Sequence, residues 1–447
     1  MLKTYENDFP FTTSFSPDGR YLAYDFPQEA GSQNRDILVV PVTGGQERTL
    51  IRHPANDYLL GWAPDGEHVL FASDRSGTPG AWLLPVADGK PSGSPWLVRA
   101  DMWRAIPVGF TADGRYFYGV RTGSREVYIA TFDSETGTVI GSPTAVNSRP
   151  LTDSRNPHWS PDGRHLAYVS ERGPAVAMGS AASSYSIVIH SLETGEVRQL
   201  ERSPFGNVMD IRWRSDGRAL LVEASRWGDP EDRGTLFELD LRTNQTRVLL
   251  RWEKDRRAYD HTVSADGRSV FYWDAIEDAE GRTAFRIVRE DLSTGEASEL
   301  LRTPYGGWGQ VQDLQLSPDG ETLAVALWPT GEAHRLVLLP VAGGEPRELM
   351  RAGVGGVAWM PDRSALLIQR APDEPSEELI WELWYVPLAG GEPKPTSLTA
   401  QGVPHGLDVR PDGRQVAFVA GVPGAELWVM ENFLPTATPA KEPGSLR

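Results

Sequence analysis

A turn with the sequence Pro-Asp-Gly, or a close variant of it, recurs nine times in this chain at intervals of about fifty residues. A repeat of this length cannot bury both faces of its own sheet, so neighbouring repeats must stack, and the series must end in caps or close on itself. The turns centre on Asp18, Asp65, Asp113, Asp162, Asp216, Asp266, Asp319, Asp362 and Asp412.

The residues around each turn predict a β-hairpin. Proline presets φ at the first corner, aspartate caps the turn, and glycine takes the left-handed position that follows. Apolar residues flank the turn with a period of two, as expected for strands. A third apolar run follows in each repeat, and a more polar fourth run closes most of them. Four antiparallel strands per repeat predict one propeller blade.

The repeat Phe15-Ser16-Pro17-Asp18-Gly19-Arg20-Tyr21-Leu22-Ala23-Tyr24 resembles the TolB-type propeller repeat, the WD-like "SPDG" module of bacterial envelope and signalling proteins. The resemblance covers nearly the whole chain. It implies the fold, but that repeat serves scaffolds, sensor domains and the non-catalytic halves of peptidases, so it does not imply one function. The eighth repeat departs from the pattern, because Arg363 stands where the left-handed position favours glycine.

The expected fold class is therefore all-β, a closed propeller of four-stranded antiparallel blades. The motif count gives nine blades, and eight blades with one displaced repeat is the alternative. Leu2 to Tyr5 precede the first turn at the spacing of an outer strand, so we expect them to complete the last blade beside its third strand, Glu426 to Met430. We expect a single propeller domain over residues 1–435 and a flexible tail over 436–447.

The amino-acid composition excludes several classes of binding partner and site. The formal net charge of −17 argues against nucleic acid and against an anionic membrane surface. The chain has no cysteine, so disulfides and thiolate metal sites are excluded. No apolar stretch is long enough to span a membrane, and Met1 to Pro10 do not form a secretory signal. A soluble protein is expected, and its compartment stays open.

A search for catalytic motifs finds none. The nucleophile elbow Gly-x-Ser-x-Gly, the Asp-rich calcium loop and the phosphate-binding Gly-rich loop are all absent. We therefore expect no enzyme activity and no cofactor.

One metal-dependent alternative remains. Some TolB-like propellers are pectin-fragment lyases that hold a divalent metal on channel histidines, and His158, His261 and His405 lie just before their turns on predicted inner strands. These histidines stand in unrelated phases, so a structural role for each is the competing interpretation.

Two groups of residues are candidate ligand contacts. Six residues before the turn, four successive repeats place a polar side chain that could form an acidic arc at the channel mouth: Asn156, Asp210, Asp260 and Asp313. The competing role for these is hydrogen bonding to backbone amides. The long loops on the same face carry aromatic candidates, which could instead cover the core: Trp103, Trp252, Tyr305 and Trp308.

The sequence thus favours a monomeric, non-enzymatic propeller that binds a protein or peptide on its long-loop face. The alternative is a metal-dependent carbohydrate lyase or hydrolase acting in the central channel. A third interpretation is the sensor or scaffold segment of a longer polypeptide.

Overall fold

A computed structural model describes residues 10, 12–28, 34–100, 102, 105–122, 125–146, 153–172, 184–200, 205–226, 234–252, 258–264, 266–277, 283–303, 311–328, 333–371, 380–402, 406–422 and 424–435. Their regular elements are β-strands arranged in antiparallel sheets, which confirms the all-β fold class. The described residues form no helix that is long and apolar enough to span a membrane.

The repeated turn forms as its sequence predicts. In the first repeat the Gly19 amide donates to the Ser16 carbonyl at 2.8 Å, and Gly19 has φ +69°. The Ser16 hydroxyl donates to Asp18 Oδ1 at 2.6 Å, and the Arg20 amide donates to the same oxygen at 3.0 Å. These bonds, the Ser16 bond first, lower the pKa of Asp18 to about 2. The aspartate therefore stays ionised and holds the corner of the hairpin.

The eighth turn confirms the expected exception. Arg363 has φ +61°, in the left-handed region, where a side chain costs roughly 1 kcal/mol. Its guanidinium forms an ion pair with Asp319 of the neighbouring turn, which offsets part of that cost.

The chain divides into two compact units. The first, here called the three-sheet unit, has its described residues in 10–122 and 424–435. Its strands are β1 (Thr13–Phe15), β2 (Tyr21–Pro27), β3 (Arg35–Pro41), β4 (Arg48–Ile51), β5 (Asp57–Trp62), β6 (His68–Ser73), β7 (Gly80–Ala87), β8 (Lys90–Pro91), β9 (Trp96–Arg99), β10 (Ala105–Phe110), β11 (Tyr116–Thr122) and, much later in the chain, β36 (Gly424–Met430).

These strands form three sheets. The first has the order β1-β2-β3-β4, the second has the order β5-β6-β7-β8 with β9 paired to β7, and the third has the order β10-β11-β36. One apolar cluster, which includes Val39 and Phe71, joins the first sheet to the second. Another, which includes Leu70 and Tyr118, joins the second to the third.

The other unit, here called the six-sheet unit, has its described residues in 125–172 and 184–422. Its strands are β12 (Glu126–Asp133), β13 (Thr138–Ala145), β14 (Ser154–Trp159), β15 (His165–Arg172), β16 (Ser184–Ser191), β17 (Val197–Leu200), β18 (Phe205–Trp213), β19 (Ala219–Arg226), β20 (Thr235–Asp240), β21 (Thr246–Arg251), β22 (Ala258–Val263), β23 (Ser269–Glu277), β24 (Thr283–Asp291), β25 (Ala297–Thr303), β26 (Val311–Leu316), β27 (Thr322–Leu327), β28 (Arg335–Pro340), β29 (Arg347–Met350), β30 (Val354–Trp359), β31 (Ala365–Arg370), β32 (Ile380–Pro387), β33 (Lys394–Gln401), β34 (Leu407–Val409) and β35 (Gln415–Ala420).

The six-sheet unit closes on itself through a sheet built from both ends of its chain. Five sheets follow the sequence, from β14-β15-β16-β17 to β30-β31-β32-β33, and the sixth has the order β13-β12-β35-β34. Apolar clusters join each sheet to the next all the way round. In the sixth sheet, Phe418 packs toward Trp381 of β32, while Val419 shares a cluster with Tyr168 of β15.

Hydrogen bonds also tie neighbouring sheets together near their inner strands. The Trp213 indole Nε1 donates to the carbonyl of His158 at 3.0 Å, and Trp359 Nε1 donates to the carbonyl of Gln315 at 3.0 Å. Both tryptophans stand three residues before their turn aspartates, so the same position of the repeat supplies this hydrogen bond in both sheets.

The expectation of one nine-bladed ring closed by the N-terminal strand is not confirmed. In the described part of the chain the nine repeats give nine sheets, but these belong to two units. The segment expected as the third strand of the ninth repeat, Glu426 to Met430, pairs with β11, and β12 takes its place beside β35. Leu2 to Tyr5 and residues 436–447 lie outside the described residues, so the N-terminal strand, the domain limit at 435 and the tail stay predictions.

We predict that Phe418→Ala destabilises the six-sheet unit by about 3–5 kcal/mol, because it removes a buried ring at the point where the unit closes. Chemical denaturation followed by tryptophan fluorescence measures the change. Phe15→Ala is the matched control, since Phe15 is 62% exposed and its removal should change the unfolding free energy little. Equal losses in the two variants would contradict the closure described above.

We also predict that Trp359→Phe lowers the unfolding free energy by about 1–3 kcal/mol, because it leaves the Gln315 carbonyl without its indole donor. The same change at Trp96, which is 37% exposed, should have a smaller effect. A Trp359→Phe variant as stable as the parent protein would show that the indole bond between sheets is dispensable.

Candidate functional site

The inner strands of the six-sheet unit converge on one cavity of about 300 Å³. Each of the six sheets supplies to its lining the residue that stands four positions before the turn aspartate. Side chains alternate in direction along a strand, so equivalent positions of equivalent strands face the same space. These residues are His158, Arg212, Thr262, Gln315, Ala358 and Asp408. We call this cavity the channel.

Arg212 is one of the cations of the channel lining. Its Nη1 donates to Gln315 Oε1 at 2.8 Å, and its Nε donates to Asp210 Oδ2 at 3.2 Å. Burial raises the pKa of Asp210, but Arg212, His261 and the Asn156 hydrogen bond outweigh burial, so the pKa is lowered overall. Asp210 is therefore ionised at neutral pH, and the pair fixes the guanidinium beside the cavity.

Asn156, one of the predicted ligand contacts, links two sheets. Its Nδ2 donates to Asp210 Oδ1 at 2.7 Å and to the Met209 carbonyl at 2.9 Å, both on β18. The residue is buried and has φ +51°, a conformation that Asn tolerates better than most residues. These hydrogen bonds connect β14 to β18, so they give Asn156 a structural role.

Asp313 also ties sheets together. Its Oδ1 accepts from the Leu314 amide and from Gln315 Nε2, each at 2.8 Å, and its Oδ2 accepts from the Val357 amide of β30 at 2.6 Å. The competing interpretation of the polar arc, bonding to backbone amides, thus describes this residue. Asp260 lies in β22, but its side chain is outside the described part of the chain.

Asp408 was not among the predicted site residues, although it lies in the channel lining. Its Oδ1 accepts from the Val409 amide at 3.0 Å and its Oδ2 from the Trp159 amide of β14 at 2.7 Å. The same Oδ2 lies 3.6 Å from His158 Nδ1. Arg212 and Gln315 were missed in the same way. All three share the position four before the turn, which is polar in most of these repeats and could have revealed them.

His158 presents a ring to the channel. Its Nδ1 lies 3.2 Å from the carbonyl oxygen of Trp159. The Asp408 carboxylate oxygen lies farther from the same nitrogen, at 3.6 Å. The Trp159 carbonyl can only accept, and the Asp408 carboxylate is close by, so the proton is favoured at Nδ1 and Nε2 is left with a lone pair. A neutral His158 can therefore accept a proton from a group bound in the channel.

His261 is fully buried, and it does not line the channel. Its Nδ1 lies 3.0 Å from Glu223 Oε2, and its Nε2 has no partner among the described residues. His405 lies outside them. Within the described ranges, no group of three or more His, Asp or Glu side chains is arranged to hold a metal ion.

The predicted aromatic contacts divide into two groups. Trp252 is buried among the residues that join β18–β21 to β22–β25, with its ring 6.2 Å from that of Tyr272. Its indole therefore belongs to the core and is not on an exposed surface. Trp103, Tyr305 and Trp308 lie outside the described residues.

A larger cavity of about 580 Å³ lies at the turns between β14–β17 and β18–β21. It is lined by His165, Trp213 and the turn residues Asp162 and Asp216. Both carboxylates already accept backbone amides of their own turns. The channel is the stronger candidate site despite its smaller volume, because polar side chains of several sheets meet there.

Comparison with known proteins bears on both fold and function. No family model matches the chain. Tricorn protease homolog 1 of Streptomyces coelicolor is 26% identical over 383 residues, which cover 82% of this chain and 33% of that protein. Dipeptidyl-peptidase 5 of Porphyromonas gingivalis is 22% identical over 282 residues, which cover 52% of this chain and 40% of that protein. The chain thus spans well under half the length of either relative.

These relatives overturn one expectation from the sequence. Both are named as peptidases, which contradicts the view of this chain as a non-enzymatic protein-binding scaffold. The sequence itself gives no catalytic signature, because each of its nine repeats specifies strands and turns.

The structural comparison supports the resemblance stated from the repeats. The structure of putative TolB from Agrobacterium tumefaciens matches with a TM-score of 0.51 at 17% identity, over 67% of this chain and 100% of that one. An identity this low identifies the fold alone. The fold of this chain is that of a TolB-like β-propeller.

Proposed function

We propose that this chain serves in peptide hydrolysis and that the channel of the six-sheet unit binds the peptide. The peptidase names of the relatives support the reaction class, and the first relative matches 82% of this chain. The observation that carries the proposal is the channel itself, where each of six sheets contributes a side chain to one cavity.

The channel lining suits a peptide backbone. Arg212 supplies N–H donors, Asp408 supplies carboxylate oxygens, and the Gln315 amide can supply either. A peptide presents N–H and C=O groups in alternation, so a binding site for it needs donors and acceptors on the same wall. A lining of one charge sign would instead favour a simple ion.

His158 gives the channel a group that could take part in the chemistry. With Nδ1 directed at Trp159 and Asp408, its Nε2 could accept a proton from water as that water attacks a peptide carbonyl carbon. The same nitrogen would then return the proton to the departing amine. Arg212 lines the same cavity and could stabilise the negative charge that develops on the carbonyl oxygen.

We predict that Arg212→Gln weakens binding of a short, unstructured, fluorophore-labelled peptide by about tenfold or more, because a hydrogen bond to a charged donor is worth about 1.5–3 kcal/mol. Fluorescence anisotropy measures the dissociation constant. Arg198→Gln is the matched control, since Arg198 is exposed and lines the cavity at the turns. Equal weakening in both variants, or no binding by the parent protein, would contradict a peptide site in the channel.

We further predict that the parent protein cleaves such peptides and that His158→Asn abolishes cleavage while leaving the dissociation constant within a factor of about two, because the substitution removes the proton acceptor but keeps a polar side chain. Mass spectrometry of the products measures cleavage. Peptide that binds and stays intact would refute the role given to His158 and leave the channel as a binding site.

A further inference from the structure

The sheet formed by β10, β11 and β36 differs from the others of this protein. Every other sheet has at least four strands, whereas the described residues of this one have three. Strand β36 pairs with β11 from Gly424 to Met430, and no described strand pairs with its other edge. Such an edge presents a row of backbone N–H and C=O groups that another strand can join.

The outer strands of the other sheets carry the residues that usually protect an edge from pairing, namely positive charges and proline. Examples are Arg48 in β4, Arg99 in β9, Arg198 in β17, Arg247 in β21, Arg302 in β25, Arg347 in β29, Lys394 and Pro395 in β33, and Pro143 in β13. Strand β36 reads Gly-Ala-Glu-Leu-Trp-Val-Met and has none of them. Its composition is that of a third strand, a position that has a neighbour on both sides throughout the six-sheet unit.

The side chains of β36 are unusually exposed for such a strand. Leu427 is 69% exposed, Trp428 is 42% exposed and Val429 is 40% exposed. An apolar surface next to an unpaired edge marks an interaction site, because burying it removes apolar area from water while the edge gains hydrogen bonds.

We propose that β36 is the homodimer interface of this protein and that it pairs antiparallel with β36 of a second copy. A two-fold axis perpendicular to the sheet makes one residue oppose itself. The register that pairs every residue from Gly424 to Met430 places Leu427 on that axis. It sets Ala425 opposite Val429 and Glu426 opposite Trp428.

This register avoids a repulsive contact. Glu426 is the one charged residue of β36, and it would face an indole and not the second copy's Glu426. Trp428 Nε1 already donates to Glu426 Oε2 at 2.7 Å within the chain, so this side-chain pair is compatible chemically. Moving the axis to Glu426 would oppose two carboxylates, which is destabilising. Because the contact is isologous it closes after two copies, so the proposed state is a dimer where the sequence predicted a monomer.

The absence of cysteine from the chain makes a specific test possible. In a Leu427→Cys variant the introduced thiol has no other cysteine in its own chain, so it can form a disulfide only with the same residue of a second copy. Directly opposed residues of antiparallel strands lie close enough to be bridged by a disulfide. We expect mild oxidation to give a disulfide-linked dimer on non-reducing gels. Val197→Cys is the matched control, because Val197 is 52% exposed on β17 of the six-sheet unit and should crosslink far less.

Sedimentation velocity tests the unmodified interface. The parent protein should sediment as a dimer, and Leu427→Lys, which opposes two ammonium groups on the axis, should sediment as a monomer. Leu427→Thr replaces an apolar side chain by a polar, β-branched one that suits a strand, and it should weaken the dimer with little effect on the melting curve. Circular dichroism of each variant separates loss of pairing from loss of fold.

Three results would overturn the proposal. The first is a parent protein that sediments as a monomer over a wide concentration range. The second is equal crosslinking of the Leu427→Cys and Val197→Cys variants. The third is a protein that becomes dimeric only after residues 1–9 are deleted, which would assign the edge of β36 to the N-terminal segment of the same chain.

Discussion

The packing of one sheet face against the next sheet is the interaction on which this structure depends. A four-stranded sheet has two faces, and a chain in which every sheet is apolar on both can bury them only by placing sheets in series. In the six-sheet unit the series returns to its start, because Phe418 packs on one neighbouring sheet and Val419 belongs to the cluster shared with the other. The three-sheet unit has no such return among its described residues. Its third sheet therefore keeps exposed apolar side chains such as Leu427.

The local structure could be predicted from the sequence, but the long-range pairing could not. Each hairpin is fixed by contacts within a few residues, as where Ser16 and Arg20 bond Asp18. The choice of a third strand is different, because Val127–Ile129 in β12 and Leu427–Val429 in β36 are both runs of three apolar residues and suit either hairpin. The chain pairs β12 with β35 and β36 with β11. No periodicity distinguishes this from the sequential pairing.

The sequence directed attention to the inner strands but not to the right part of them. The expected site was the channel mouth on the long-loop face, six residues before the turn, whereas the cavity is lined by the position four before the turn and by turn residues such as Ser215 and Pro318. The register of these strands shifts close to the chosen position, between Val208 and Asp210 in β18 and between Val311 and Asp313 in β26. A β-bulge adds a residue and changes the direction in which the next side chains point. Alternation counted across it therefore fails.

The bulges also explain the role of the polar side chains that stand six positions before the turn. An extra residue leaves backbone amides without their regular ladder partners, and an unsatisfied buried amide costs about 1–3 kcal/mol. Asp313 accepts the Val357 amide, and Asn156 donates to the Met209 carbonyl, so both are held by the backbone of the next sheet. Arg212 differs from these residues, since it donates to the side chains of Asp210 and Gln315. Asp408 stands at the same position as Arg212 but accepts the Trp159 amide of the next sheet, so its replacement would open a contact between sheets. A bound peptide could displace a side-chain partner of Arg212 without opening such a contact, and this makes Arg212 the residue where ligand specificity can change while the fold is kept.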